Sequence, residues 1–172
     1  MSPLRHQTGT WVASWYSSPM ARSVLSGLAL GLAFPPSPVS TLAFVALLPW
    51  LTVFTTEDRF GAAVRSSYVM LMSYHLITAS WAGGFTHLTD VWMSIAGGAL
   101  VFIHPLFLLP FVVAAWYVRK HVGRWQGLFA LACFWTGYEY FHARGDLSFP
   151  WIALGHSQSY DLLRIQIAEF VS

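Results

Sequence analysis

"VWMSIAGGALVFIHPLFLLPFVVAAWYV", Val91–Val118, carries no Asp, Glu, Lys or Arg and is closed by Arg119-Lys120. A helix needs about 20 predominantly apolar residues to cross the hydrocarbon core of a bilayer, and this run exceeds that length. The rest of the chain agrees with a lipid solvent. Hydrophobic residues make up 56% of the 172 and charged ones 9%, whereas a soluble domain is about a quarter charged. Mean hydropathy is +0.55. A net charge of +2, with nine scattered Lys and Arg, forms no basic stripe for nucleic acid. The single cysteine, Cys133, excludes an internal disulfide and a cysteine-based zinc cluster, and its apolar helical setting reads as that of a small packing residue.

Working outward from this run, four further apolar spans are expected: Pro19 to Phe34, stopped by Pro35-Pro36; Val39 to Phe54, containing Pro49; Phe60 to Trp81, interrupted by Gly83-Gly84; and Trp125 to Phe141. The predicted fold class is therefore an all-α integral membrane protein. It has about five transmembrane helices plus the approach to a sixth, after a polar tail over residues 1–18, so that 19–172 form one multi-helix membrane domain. Arg22 ahead of the first span imitates a signal peptide, but Phe34-Pro35-Pro36-Ser37-Pro38 is no small-x-small cleavage site, and an uncleaved helix fits better. Gly27-x-x-x-Gly31 on it permits close packing on a neighbouring helix of the same chain.

The positive-inside rule orients the spans. With a cytoplasmic N-terminus, Arg5, Arg22, Arg59, Arg65, Arg119, Lys120 and Arg124 fall inside, leaving Arg144 and Arg164 outside. The turn at 35–38, the loop 83–90 and the stretch 142–158 then face outward. A reporter fused after Lys120 is expected to behave as cytoplasmic and one at Asp146 as extracytoplasmic; the reverse pattern would reject this orientation. Trp135, Tyr138, Glu139 and His142 share one helical face near the outer end of the last span. Tyr74, Thr78, Trp81 and Phe85 recur at similar spacing on the third. Together they can wall an aromatic and polar cleft; the alternative is an interfacial aromatic belt with a snorkelling carboxylate. The breaker-rich "FPWIALGHSQ", Phe149–Gln158, lies at the same outer boundary.

The ordered set "LALGLAFPPSPVSTLAFVALLPWL", "ITASWAGGF" and "WTGYEYFHARGDLSFPWIALGHSQ" resembles the N-terminal membrane part of apolipoprotein N-acyltransferase, over residues 21 to 172. The resemblance implies an enzyme of the bacterial inner membrane. It moves an acyl chain from a phospholipid donor onto a cysteine thiol, then onto the α-amino group of a diacylglyceryl-cysteine at a lipoprotein N-terminus. It also implies a nitrilase-like domain bearing a Glu, Lys and Cys triad. No such hydrophilic α/β region occurs among these residues, so a truncated or split enzyme, inactive alone, is expected, with a separately encoded catalytic domain as one candidate partner. Cys133 is no replacement nucleophile, because an apolar setting suppresses the thiolate. No catalytic residue, cofactor or metal ligand is assigned. Trp151, Glu139, Trp81, Tyr138, Phe149 and Pro150 are assigned to substrate binding or a lipid entrance.

Two other classes stay open at this stage. His75 and His104, each near the middle of a span, can ligate a haem between helices; a single His per helix otherwise hydrogen-bonds a neighbouring helix. A noncatalytic membrane scaffold or small transporter subunit is the other, disfavoured because Arg22, Arg65 and Glu139 lie near span ends rather than along a pathway.

Overall fold

A computed structural model describes residues 17–83, 90–145 and 148–166; most of the polar tail, Phe85, Asp146 and the end of the chain lie outside the described residues. Every regular element among those residues is helical: α1 (Pro19–Leu32), α2 (Ala43–Ala46), α3 (Leu48–Thr56), α4 (Phe60–Thr78), α5 (Val91–Phe102), α6 (Pro105–His121), α7 (Arg124–His142) and α8 (Leu162–Ile165), with short 3-10 turns between several of them. Two expected spans are broken where proline removes a backbone donor. Pro49 divides the second at Leu47, the residue between α2 and α3. Pro105 opens α6, and the run Val91–Val118 is two helices rather than one: Ile103 and His104 both donate to the Ala99 carbonyl, at 2.8 and 3.1 Å. That extra residue in the turn swings His104 inward, where it is 6% exposed.

α1 lies along α4, α6 along α7, and α4 links the two pairs by packing on α6. The α1–α4 approach depends on Gly27. A Cβ there would sit 2.2 Å from the Met70 carbonyl oxygen and 2.6 Å from Ser73 Cβ, so backbone meets backbone as expected of the Gly27-x-x-x-Gly31 pair. One core gathers Trp50, Met70, Leu71, Val112, Trp116 and Trp135; a second, of Leu30, Phe34, Ala46, Tyr74 and Ile152, lies under the "FPWIALGHSQ" corner.

The bundle has two chemically distinct ends. At one, the Arg119 guanidinium donates to the Glu57 carbonyl at 2.7 Å and pairs with Asp58 at 2.9 Å, while Lys120 Nζ donates to the Asp58 carbonyl at 2.9 Å. Arg59 donates to the Glu57 carboxylate through its backbone N–H and its guanidinium, which holds that carboxyl below its ordinary range. At the other end sit His104, His142 and the corner. The helical rise along α6 separates the two ends by roughly 20 Å.

Polarity is distributed unlike that of a water-soluble core. Ser23, Ser26, Ser66, Ser67, Ser73 and Thr78 are buried between helices, whereas Phe44, Trp92, Ile95, Trp125, Phe129 and Phe141 are exposed. Among the described residues one helical run, Val91–His121, is long and apolar enough to cross a membrane, and Ser40–Thr56 is apolar but shorter. α1, with 14 residues, rises only about 21 Å. Cys133 departs from its expected packing role: it is exposed, on the face of α7 opposite Trp135 and His142.

Candidate lipid-facing site

The corner after α7 folds as two 3-10 turns, Pro150–Ile152 and Leu154–Gln158. Proline pre-sets the first turn, and three side chains tie the corner down. The Tyr74 hydroxyl donates to the Ile152 carbonyl. The Leu154 backbone N–H donates to Glu139 Oε1 at 2.9 Å, and the same oxygen accepts from the Trp135 indole at 2.8 Å. Gln158 Nε2 donates to the Ser40 carbonyl at 2.9 Å, while Arg164 reaches Thr41 Oγ1 at 3.0 Å. The corner and α8 therefore meet Ser40 and Thr41, just after the turn at 35–38, at one end of the bundle.

Glu139 is thus a fastening rather than a snorkelling carboxylate. One oxygen holds two N–H donors, and Oε2 has no partner among the described residues. Arg144 lies over the Tyr140 ring at 3.6 Å. Above the carboxylate opens a cavity of about 200 Å³ walled by Tyr74, Trp135, Tyr138, Phe149, Pro150 and Ile152, with Glu139, His75, His104, His142 and His156 as its polar members. Of the six residues assigned to a lipid entrance, Glu139, Tyr138, Phe149 and Pro150 line this cavity. Trp81 stacks on Phe149, ring centroids 6.4 Å apart, and donates its indole N–H to the Thr78 carbonyl at 2.8 Å. Trp151 is next to the lining residues in sequence but points outward, 64% exposed. Ser157 is buried with its hydroxyl on the Leu154 carbonyl, a turn-forming role.

Sequence reasoning did not join three histidines that the bundle aligns. His75 Nδ1 is 2.8 Å from the Leu71 carbonyl, His75 Nε2 is 2.9 Å from His104 Nδ1, and His104 Nε2 is 2.9 Å from His142 Nε2. This corrects the haem reading. An iron between His75 and His104 would hold their nitrogens about 4 Å apart, twice a metal–imidazole bond, whereas these nitrogens share a proton. With each ring neutral, the Leu71 carbonyl sets all three tautomers. It accepts from His75 Nδ1, so His75 Nε2 accepts from His104, and His104 Nε2 accepts from His142. His142 Nδ1 is left as an open acceptor at the cavity end of the chain. The spacing signal was within reach only for His142, which shares the helical face of Glu139; His75 and His104 meet through tertiary packing.

Residues 26–172 match the family profile described as the apolipoprotein N-acyltransferase N-terminal domain. The chain is similar to the apolipoprotein N-acyltransferase of Chlorobaculum tepidum, 34% identical over 157 residues that cover 89% of this chain and 28% of that protein. It is also 34% identical to that of Geobacter metallireducens, over 86% of this chain and 28% of the relative, and 33% identical to that of Gloeobacter violaceus, over 84% and 29%. The chain thus spans less than a third of the length of these relatives. No solved structure matches it. By the extent of the profile match and the agreement of the relatives, this chain belongs to the apolipoprotein N-acyltransferase family, in the region of its N-terminal domain.

Proposed function

We propose that this chain is the membrane part of an apolipoprotein N-acyltransferase. It spans the bacterial inner membrane about five times, with its N-terminus cytoplasmic, and presents lipid substrates at the outer leaflet. The acyl chain leaves a phospholipid and ends on the α-amino group of a lipoprotein's diacylglyceryl-cysteine. The single observation that carries this reading is the cavity between α4, α6, α7 and the corner, which combines an apolar wall with a few polar groups at the end of the bundle away from Arg119 and Lys120. Such a site admits acyl chains from the side while a headgroup stays wet. The apolar exterior and the Ser- and Thr-rich helix contacts support a lipid surrounding. The residues around the cavity position and admit; none is a nucleophile for the transfer, since Cys133 lies on the opposite face of α7.

A phospholipid carrying a photoreactive group near its glycerol backbone tests the reading on the purified chain in nanodiscs. Cross-links are expected in Phe149–His156 and near Trp81. Trp151→Ala should reduce them while changing stability by no more than about 0.5 kcal/mol, as for other exposed positions. Cross-links spread evenly over the apolar exterior, or indifferent to Trp151, would show that the corner is no lipid entrance.

A further inference from the structure

We propose that the cavity at the outer end of α7 is a binding site for a primary ammonium group, held by Glu139, His142 and Tyr138. This deepens the preceding reading and rests on it for the source of the amine. Three acceptor atoms within little more than one turn of α7 make no hydrogen bond among the described residues, and His156 is the charged group that faces Glu139. Glu139 keeps Oε2 free because Oε1 alone receives the Trp135 and Leu154 donors. His142 keeps Nδ1 as a lone-pair acceptor because the chain through His104 and His75 to the Leu71 carbonyl consumes its Nε2 proton. The Tyr138 hydroxyl is buried without a partner, in a residue 8% exposed, and its ring stacks on His142 with centroids 4.9 Å apart.

All three residues line the same cavity. Their helical positions, i, i+1 and i+4, bring the first and last onto one face. A primary ammonium offers three N–H donors and a positive charge, which matches a carboxylate oxygen, an imidazole lone pair and a phenol oxygen. A buried polar group without a partner is costly, which applies to the Tyr138 hydroxyl. Beside it the half-buried Glu139 carboxylate and His142 imidazole add two further acceptors to one apolar space and favour an occupant with several donors. The rigidity of the His chain fixes His142 as acceptor, and a cation lacking N–H groups would leave all three unmet. In the proposed reaction two molecules carry a primary amine: a phospholipid with an ethanolamine headgroup, and the lipoprotein N-terminus.

The test measures binding to the full 172-residue chain in detergent micelles by titration calorimetry. The probes are dihexanoyl phosphatidylethanolamine, dihexanoyl phosphatidylcholine, and a diacylglyceryl-cysteine peptide with its α-amine free or acetylated; ethylammonium serves as a tail-free probe. At least one free-amine lipid is expected to bind roughly tenfold or more tightly than its blocked or trimethylated counterpart, as charge-assisted hydrogen bonds require. Whichever amine is favoured identifies the source. Glu139→Gln keeps an acceptor for Trp135 and Leu154 and is expected to abolish the discrimination without loss of the fold, monitored by thermal unfolding; Tyr138→Phe should weaken it. Equal binding of the ethanolamine and choline lipids, together with equal binding of both peptides, would overturn the ammonium site and leave a lipid-presenting role standing. Binding of ethylammonium alone, lost in Glu139→Gln, would support the site and count against the lipid-presenting role. No binding by any probe would defeat both.

Discussion

Glu139→Ala is expected to destabilise the purified chain by roughly 2–6 kcal/mol, because it strands two N–H donors that each cost about 1–3 kcal/mol when left unpaired. Those donors are the Trp135 indole and the Leu154 backbone N–H, both on Oε1 of this one side chain. Losing them frees the corner from α7 and opens the second core at Ile152. Glu139→Gln retains a carbonyl oxygen at the same reach and should melt close to the parent. Thermal unfolding of the three proteins in one detergent decides the matter. If alanine and glutamine fall together, the charge rather than the acceptor geometry holds the corner; if alanine is tolerated, the corner is held by Tyr74 and Gln158 instead.

Gly27→Ala should be nearly as damaging, through overpacking rather than lost bonding. Its methyl group would lie 2.2 Å from the Met70 carbonyl oxygen and 2.9 Å from the Tyr74 backbone nitrogen, atoms of a helix backbone that cannot rotate away. α1 and α4 must separate, at a cost of about 1–3 kcal/mol or more, and at roughly 2–4 °C per kcal/mol the melting temperature drops accordingly. Gly98 is the control. A Cβ there meets nothing within 4 Å, so Gly98→Ala in α5 should be neutral or raise stability, since glycine weakens a helix interior by about 0.5–1 kcal/mol relative to alanine. Equal effects at both positions would mean that the α1–α4 contact is looser than the close backbone approach implies.

The all-helical class and the approximate limits of the unbroken helices were legible in the sequence because apolar runs, prolines and terminal charges act locally. The count was not, since two of the five expected spans are broken. α4 and α7 fall within a few residues of their expected spans, and Gly27-x-x-x-Gly31 announced a close helix contact before its partner was known. The face of Trp135, Tyr138, Glu139 and His142 was likewise readable, since helical periodicity alone brings those residues together. What periodicity does not carry is the meeting of separate elements. The split of Val91–Val118 is local, set by Pro105, but the fold of Leu154 back onto Glu139 depends on how α7 and the corner pack. The histidine chain depends on packing too, its members coming from α4, the turn before α6, and α7. Each of its 2.9 Å contacts is a distance between elements, and no spacing within one run encodes it. The sequence therefore determined the helical class and the family, while tertiary packing alone decided which oxygen of Glu139 is occupied and which nitrogen of His142 is free.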